Sequence, residues 1–290
     1  MAKTTTKRSR KKPLWPRVRR FLMILLAAVF LFCGGTVAVV QHQYAVNKRL
    51  YREAAASFTT QTAPAQPDPS LSKESDSRKT EPESAPGEKA PIEVDFDALR
   101  KVNPDVCAWI YCPDTVINYP VVHGDADFYL HHSYDGTFNA SGSIFVDPLN
   151  SPDFTDPLSI LYGHHMASGA MFATLDRWQE QSYLEEHPYM WLLTPEQDYR
   201  IALFSAYTIS AYSDTYQVFP ERSPAFEQYL QNAEGLSAVK ADVEVSPDSK
   251  YVLLSTCAYV FENARSVIHG KLEPASSAGG VPLKDAVMKP

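Results

Sequence analysis

Phe21 to Val40 reads FLMILLAAVFLFCGGTVAVV, twenty consecutive residues without a charge. At a rise of about 1.5 Å per residue, a helix of that length spans about 30 Å, the hydrocarbon thickness of a bilayer. The twenty residues before it carry nine cations (Lys3, Lys7, Arg8, Arg10, Lys11, Lys12, Arg17, Arg19 and Arg20) and no acid, while only Lys48, Arg49 and Arg52 follow closely. That asymmetry predicts one N-terminal transmembrane helix, single-pass in the lipid bilayer, with the N-terminus cytoplasmic and the rest of the chain extracellular. A cleaved signal peptide is the competing reading. Its apolar core is normally shorter and ends in small residues at a cut site, whereas this run ends Val39-Val40-Gln41-His42-Gln43. An uncleaved anchor is the favoured reading.

The whole chain carries −7, so with the +9 tip set aside the remaining 270 residues carry −16. An acidic body offers no positive face for phosphates, which argues against nucleic acid as a partner. Cysteines at 33, 107, 112 and 257 are too few for a disulfide scaffold.

Gln41 to Phe58 can continue as a helix beyond the membrane. Thr59 to Pro91 is rich in proline and poor in large apolar side chains, so it cannot offset the entropy of ordering and reads as a stalk. About 180 residues remain, enough for one core. Eight β-branched or aromatic runs punctuate them, at 107–112, 116–122, 142–146, 159–164, 189–193, 199–209, 251–257 and 264–272. Helical patches are expected at Phe96 to Val102 behind a cap at Asp95, at Ala170 to Glu185, and at Pro224 to Gly235 with Phe226, Tyr229 and Leu230 on one face. Eight mainly antiparallel strands with a few peripheral helices imply a mainly β fold, a closed or nearly closed barrel.

Cys107 and Cys112 lie about 16–17 Å apart if CAWIYC is a strand, and face opposite ways, so a disulfide between them is not expected. The doublets His131-His132 and His164-His165 also point to opposite faces, and no HExxH occurs. The Asp125-Ala126-Asp127 stretch has Leu130 where a calcium loop needs glycine. No metal site is expected.

Cys257 ends an apolar strand, YVLLST, and a hairpin through AYVFEN would return Arg265 beside it. A guanidinium is permanently charged and suits a developing oxyanion. His164 ends a different strand and can serve a thiol as acid or base. These residue types compose a nucleophilic constellation, although a lone cysteine at a strand end is commonly structural.

Leu254-Ser255-Thr256-Cys257 with Arg265 eight residues later resembles the active-site signature of sortases, Thr-Leu-x-Thr-Cys with a downstream Arg. Leu161-Tyr162-Gly163-His164 with Met166 is similar to the family's histidine segment, commonly Tyr-Gly-His-Asn-Met in class B. Residues 95–122, Phe128-Tyr129-Leu130, GSIFVD (142–147) and ARSVIHGKL (264–272) resemble class B members in order and spacing. The resemblance implies a sortase-like closed eight-stranded β-barrel and a membrane-anchored cysteine transpeptidase of a Gram-positive surface. Such an enzyme cleaves a C-terminal sorting motif after Thr and joins the acyl product to a cell-wall precursor amine, with no cofactor. It implies Cys257 as nucleophile, His164 as general acid and base, and Arg265 as oxyanion stabiliser. Tyr162, Ser255 and Thr256 are implied in the substrate groove, with Leu130 and Tyr216 as further groove candidates.

Three positions depart from the family pattern: His165 stands where class B often has Asn, Leu253 where Thr leads the signature, and Ala258 where some relatives carry an acid. The implied organisation is a cytoplasmic basic segment (1–20), a transmembrane anchor (21–40), a juxtamembrane helix and disordered stalk (41–91), a catalytic domain (92–272) and a flexible tail (273–290). Another cell-wall cysteine enzyme is the nearest rival. An L,D-transpeptidase carries Ser-x-Gly-Cys-x-Arg, and a papain-like peptidase places its cysteine before its histidine; neither order occurs here. A non-catalytic surface adhesin is the rival from a different class, and it would more naturally carry its own C-terminal apolar sorting segment.

Overall fold

A computed structural model of the chain describes residues 15–62 and 89–275. The expectations for the basic tip before residue 15, for the stalk at 63–88 and for the tail from 276 onward lie outside the described residues. The chain divides into two compact units between Val46 and Asn47. The uncharged run lies within α1 (Trp15–Phe58), the one helix among the described residues that is long and apolar enough to cross a membrane.

The C-terminal stretch of α1, 47–58, belongs to the second unit. There Asn47, Tyr51 and Ala54 are buried, and their i, i+4, i+7 spacing makes one stripe on the helix. The chain then forms β1 (Thr59–Gln61), which pairs antiparallel with β2 (Ile92–Val94). Both ends of the Pro-rich stretch are thus tied together, a pairing that the composition of Thr59 to Pro91 did not suggest.

All eight apolar runs become strands: β3 (Val106–Tyr111), β4 (Asn118–His123), β5 (Ile144–Val146), β6 (Leu158–Tyr162), β7 (Tyr189–Leu193), β8 (Tyr199–Ser210), β9 (Lys250–Cys257) and β10 (Ala264–Pro274). They close in the order β10-β8-β7-β3-β4-β5-β6-β9, which leaves no unpaired edge. Every neighbouring pair is antiparallel except β4 with β5 and β6 with β9.

Alternation on β9 and β10 divides the packing. Val252, Leu254 and Ile268 join the larger core with Trp109, Trp178 and Trp191. Tyr251, Leu253 and Val267 point the other way, onto Phe226, Tyr229 and Leu230 of α5 (Pro224–Leu236). Each such large side chain contributes about 1.5–3 kcal/mol on burial. Ser223 caps α5 by accepting the Phe226 N–H, with Pro224 in the first turn. Asp95 does the same for α2 (Phe96–Val102) through the Ala98 N–H at 2.9 Å. The Asp125-Ala126-Asp127 stretch has a local use as well: Asp125 caps the short α3 (Ala126–Tyr129).

The helix expected over Ala170 to Glu185 is broken into a 3₁₀ turn, Leu175–Gln179, and α4 (Gln181–Glu186). Met171 has φ 58° and pairs with His165, and Glu180 is extended, so neither can continue a helix. The apolar spacing there still marks buried residues, since Met171, Phe172, Leu175 and Trp178 are fully enclosed. All four cysteines are free. Burial pushes the thiols of Cys107 and Cys112 up to about 12, so both stay protonated and inert.

His269 of β10 is fully buried beneath α5. The Tyr229 hydroxyl donates to the Thr215 carbonyl at 2.9 Å, which leaves its oxygen to accept from His269 Nε2 at 2.8 Å. Burial disfavours the charged form and lowers the pKa of the ring from 6.5 to about 3, so it is neutral at neutral pH. An unfolded chain binds this proton below pH 6.5 while the folded one refuses it until about pH 3. The stability from His269 is thus complete above pH 6.5 and is lost as pH falls through that window. His269→Gln, which keeps an N–H for Tyr229, is expected to flatten the fall of the thermal unfolding midpoint between pH 6.5 and pH 4. An unchanged slope would contradict this.

Candidate active site

The site follows from which strands are neighbours. β6 and β9 run parallel, with Tyr162 opposite Ser255, and the Gly163 N–H extends the ladder to the Ser255 carbonyl at 3.1 Å. His164 lies two residues past Tyr162, and Cys257 two past Ser255. Both therefore leave the same end of adjacent strands. On its other side β9 pairs antiparallel with β10, and there Cys257 is directly opposite Arg265. Such partners have Cβ atoms about 4.5–5.5 Å apart and point to one face. Three adjacent strands thus deliver a histidine, a thiol and a guanidinium to one end of the barrel, with the thiol in the middle.

Cys257 is half-buried, unlike the enclosed Cys107 and Cys112. Among the described residues, Arg265 shows one hydrogen bond, from Nη1 to the Ala264 carbonyl at 3.0 Å. Its remaining N–H groups are available to a substrate oxygen. The hairpin loop between the two is closed by the Ala258 N–H on the Ala264 carbonyl at 2.9 Å, with Asn263 at φ 58°. Tyr259 in that loop is exposed, and its ring meets His165 edge-on at 5.2 Å.

His164 is held at two points, and the glycine before it is enclosed. Its Nε2 lies 2.8 Å from the Leu130 carbonyl. A carbonyl only accepts, so Nε2 carries the hydrogen and Nδ1 is left for proton transfer in the neutral ring. The His164 carbonyl accepts the Phe172 N–H at 3.1 Å. Gly163 sits so close to the core that a Cβ there would lie 2.5 Å from Ile144 Cδ1 and 2.7 Å from Phe172 Cδ2. The glycine before the histidine is a packing requirement.

Of the expected groove residues, three gather. The Tyr216 hydroxyl and the Ser255 hydroxyl are 2.8 Å apart, and Tyr216 stacks on Tyr162 at 6.2 Å. The Tyr162 hydroxyl donates to Asp147 at 2.9 Å. Burial raises the phenol of Tyr216 to about 12, and burial together with the Asp147 carboxylate raises that of Tyr162, so both remain donors. Leu130 meets the site through its backbone instead, as the acceptor for His164. Thr256 does not join them: alternation turns it to the opposite face of β9 from Cys257, where its hydroxyl is buried without a partner among the described residues.

The sequence had not singled out Asp147 or Tyr259, nor the Leu130 carbonyl as opposed to its side chain. Asp147 lay within the quoted GSIFVD segment, which was its only signal.

Comparison with models of protein families returns no match. Comparison with curated proteins does. Sortase B of Listeria monocytogenes is 31% identical over 257 residues, covering 87% of this chain and 95% of the relative. Sortase B of Staphylococcus aureus is 30% identical over 184 residues, covering 62% of this chain and 75% of the relative. The chain belongs to the sortase B family. The solved structure of the S. aureus sortase B superposes with a TM-score of 0.59 at 31% identity, covering 62% of this chain and 87% of that one. Sortase B of Bacillus anthracis gives 0.63 at 28% identity, covering 80% of this chain and 99% of the other. A sortase B is a cysteine transpeptidase, and the closed barrel described above is the fold of these structures.

Proposed function

We propose that this sortase is a single-pass membrane protein that cleaves a C-terminal sorting motif after Thr in surface proteins and joins the acyl product to a cell-wall amine. In this reading residues 1–20 are cytoplasmic, 21–40 cross the bilayer, 41–91 form a helix and stalk outside and 92–272 catalyse, with two boundaries corrected by the fold: 47–61 belong to the catalytic unit, and Glu273 and Pro274 belong to β10 and not to a tail. The nine cations before the apolar run and the three after it support that orientation.

The observation that carries the catalytic reading is the register that pairs Cys257 with Arg265 on one side and runs the His164 strand along the other. The Cys257 thiol gives its proton to His164, and the resulting thiolate attacks the carbonyl carbon of the Thr residue. The carbonyl electron pair moves to oxygen, where the Arg265 N–H groups stabilise it. Collapse of that oxyanion breaks the C–N bond, and His164 gives its proton to the leaving amine. The acyl group is then held as a thioester. An incoming amine attacks it, passes a proton to His164 and expels the thiolate as the new amide forms. Water competes for the same thioester, so slow hydrolysis is expected without an amine. Tyr162, Ser255, Tyr216 and Leu130 line the approach to the thiol.

S. aureus sortase B has been solved as a substrate complex, and a sortase B has been solved with triglycine, which makes that peptide a reasoned acceptor to try. The test is a fluorogenic peptide panel spanning Asn-Pro-x-Thr and Leu-Pro-x-Thr-Gly motifs, incubated with the detergent-solubilised full chain and triglycine. Cleavage after Thr with capture of triglycine is the expected result. A panel left intact, or cut elsewhere, contradicts the proposal.

A further inference from the structure

The Leu130 carbonyl that holds His164 is itself held by another backbone. Gly142 has φ 56°, and a Cβ on it would lie 2.7 Å from the carbonyl oxygens of both Tyr129 and Leu130. The Ser143 N–H donates to the Tyr129 carbonyl at 3.0 Å, so the 142–143 backbone lies directly on the 129–130 turn. The Leu130 oxygen therefore sits between the Gly142 backbone on one side and the His164 imidazole on the other. What fixes Gly142 comes from far away in the chain: the hydroxyl of Tyr51, on the C-terminal stretch of α1, donates to the Gly142 carbonyl at 2.6 Å.

Tyr51 reaches the histidine segment by a second route. Its ring meets Tyr119 edge-on at 5.1 Å. The Tyr119 hydroxyl accepts the Met171 N–H at 3.0 Å, Met171 pairs with His165, and the adjacent Phe172 N–H holds the His164 carbonyl. One side chain thus touches both the support of the imidazole nitrogen and the support of the histidine backbone. Tyr51 is 4% exposed, and the neighbouring Asn47, on the same stripe, is fixed by the Asn139 side-chain amide at 2.8 Å. Asn139 in turn accepts the Gly142 N–H through its carbonyl at 2.9 Å. Two helix residues converge on Gly142.

We infer that Tyr51 is a positioning residue for transpeptidation, acting through the Gly142 and Leu130 backbone to set the orientation and tautomer of His164. The inference rests on His164 being the acid and base of the reaction. A purely structural Tyr51 would change stability alone; a positioning Tyr51 changes the behaviour of the thiol only while His164 is present.

The experiment is a double-mutant cycle on the full chain in detergent, reading the rate of Cys257 alkylation by iodoacetamide against pH, with kcat and KM alongside. Tyr51→Phe keeps the ring and removes the hydroxyl. Loss of one buried hydrogen bond is expected to lower kcat about five- to tenfold with KM little changed, and to shift the pH profile of alkylation. In the His164→Ala background the same substitution is expected to leave alkylation unchanged. Gly142→Ala, which pushes on the Leu130 carbonyl directly, is expected to shift the profile in the same direction as Tyr51→Phe.

Equal effects of Tyr51→Phe in both backgrounds, or a profile identical to that of the parent, would overturn this inference alone. A His164→Ala single variant with full transpeptidation would overturn the assignment of His164 and the inference with it. Folding is followed by thermal unfolding, and a Tyr51→Phe variant that is less stable yet unaltered in pH profile counts against positioning. Should Tyr51→Phe fail to fold, the ring nitrogen spectrum of His164 in Gly142→Ala decides. Loss of the protonated Nε2 signal is expected there, and its persistence is contrary.

Discussion

Cys257→Ala is expected to abolish formation of the acyl-enzyme, with turnover falling roughly 10⁴-fold or more, because no other group at the site can form the thioester. The fold should survive. Cys257 is half-buried at the open end of β9, its sulfur makes no hydrogen bond among the described residues, and the β9–β10 register depends on backbone groups. Cys107→Ala and Cys112→Ala give the contrasting result: each removes a buried thiol held protonated by its surroundings, so stability falls and chemistry does not. Circular dichroism with peptide cleavage on the three variants separates the two cases. Cleavage retained in Cys257→Ala would refute the nucleophile.

Arg265→Lys keeps the charge and is expected to lower kcat/KM by about 10²–10³-fold, the range for losing an oriented oxyanion donor. An ammonium is a point charge on a flexible stem, whereas the guanidinium presents several N–H groups in a fixed plane. Here one of them is already spent on the Ala264 carbonyl at 3.0 Å, which fixes the orientation of the rest. Lysine cannot both make that contact and present a planar pair to the substrate oxygen. Thermal unfolding within a few degrees of the parent should accompany the loss. A variant with parental kcat/KM would show that charge alone suffices and that the directed hydrogen bonds do not matter.

How far the sequence reveals this arrangement depends on the range of each contact. The β9–β10 hairpin is local, so the return of Arg265 beside Cys257 could be anticipated from the loop length and confirmed in the register. The meeting of β6 with β9 is different. Parallel strands need a long connection, and nothing in the periodicity of either run names its partner. Its strand-end position makes His164 a candidate, and the resemblance to sortases assigns it to the thiol. Strands were legible because Pro, Asp, Asn and Gly clusters bound them, whereas the three-residue pair β1 and β2 is too short to show a period. Over Ala170 to Glu185 the apolar spacing correctly marked buried residues but not their backbone, since Met171 turns to positive φ to reach His165. The Leu130 carbonyl that orients His164 had no signal at all, because every residue carries a carbonyl.

The mechanism requires a thioester at Cys257. The direct measurement is the intact mass of the full chain, quenched in acid seconds after mixing with a sorting-motif peptide in the absence of amine. The expected mass is increased by the acyl fragment ending in Thr, mapped to the peptide containing Cys257. The adduct is also expected to disappear on addition of triglycine as the amide product forms. An unmodified mass while the peptide is consumed, or an adduct mapped to any other residue, would contradict it.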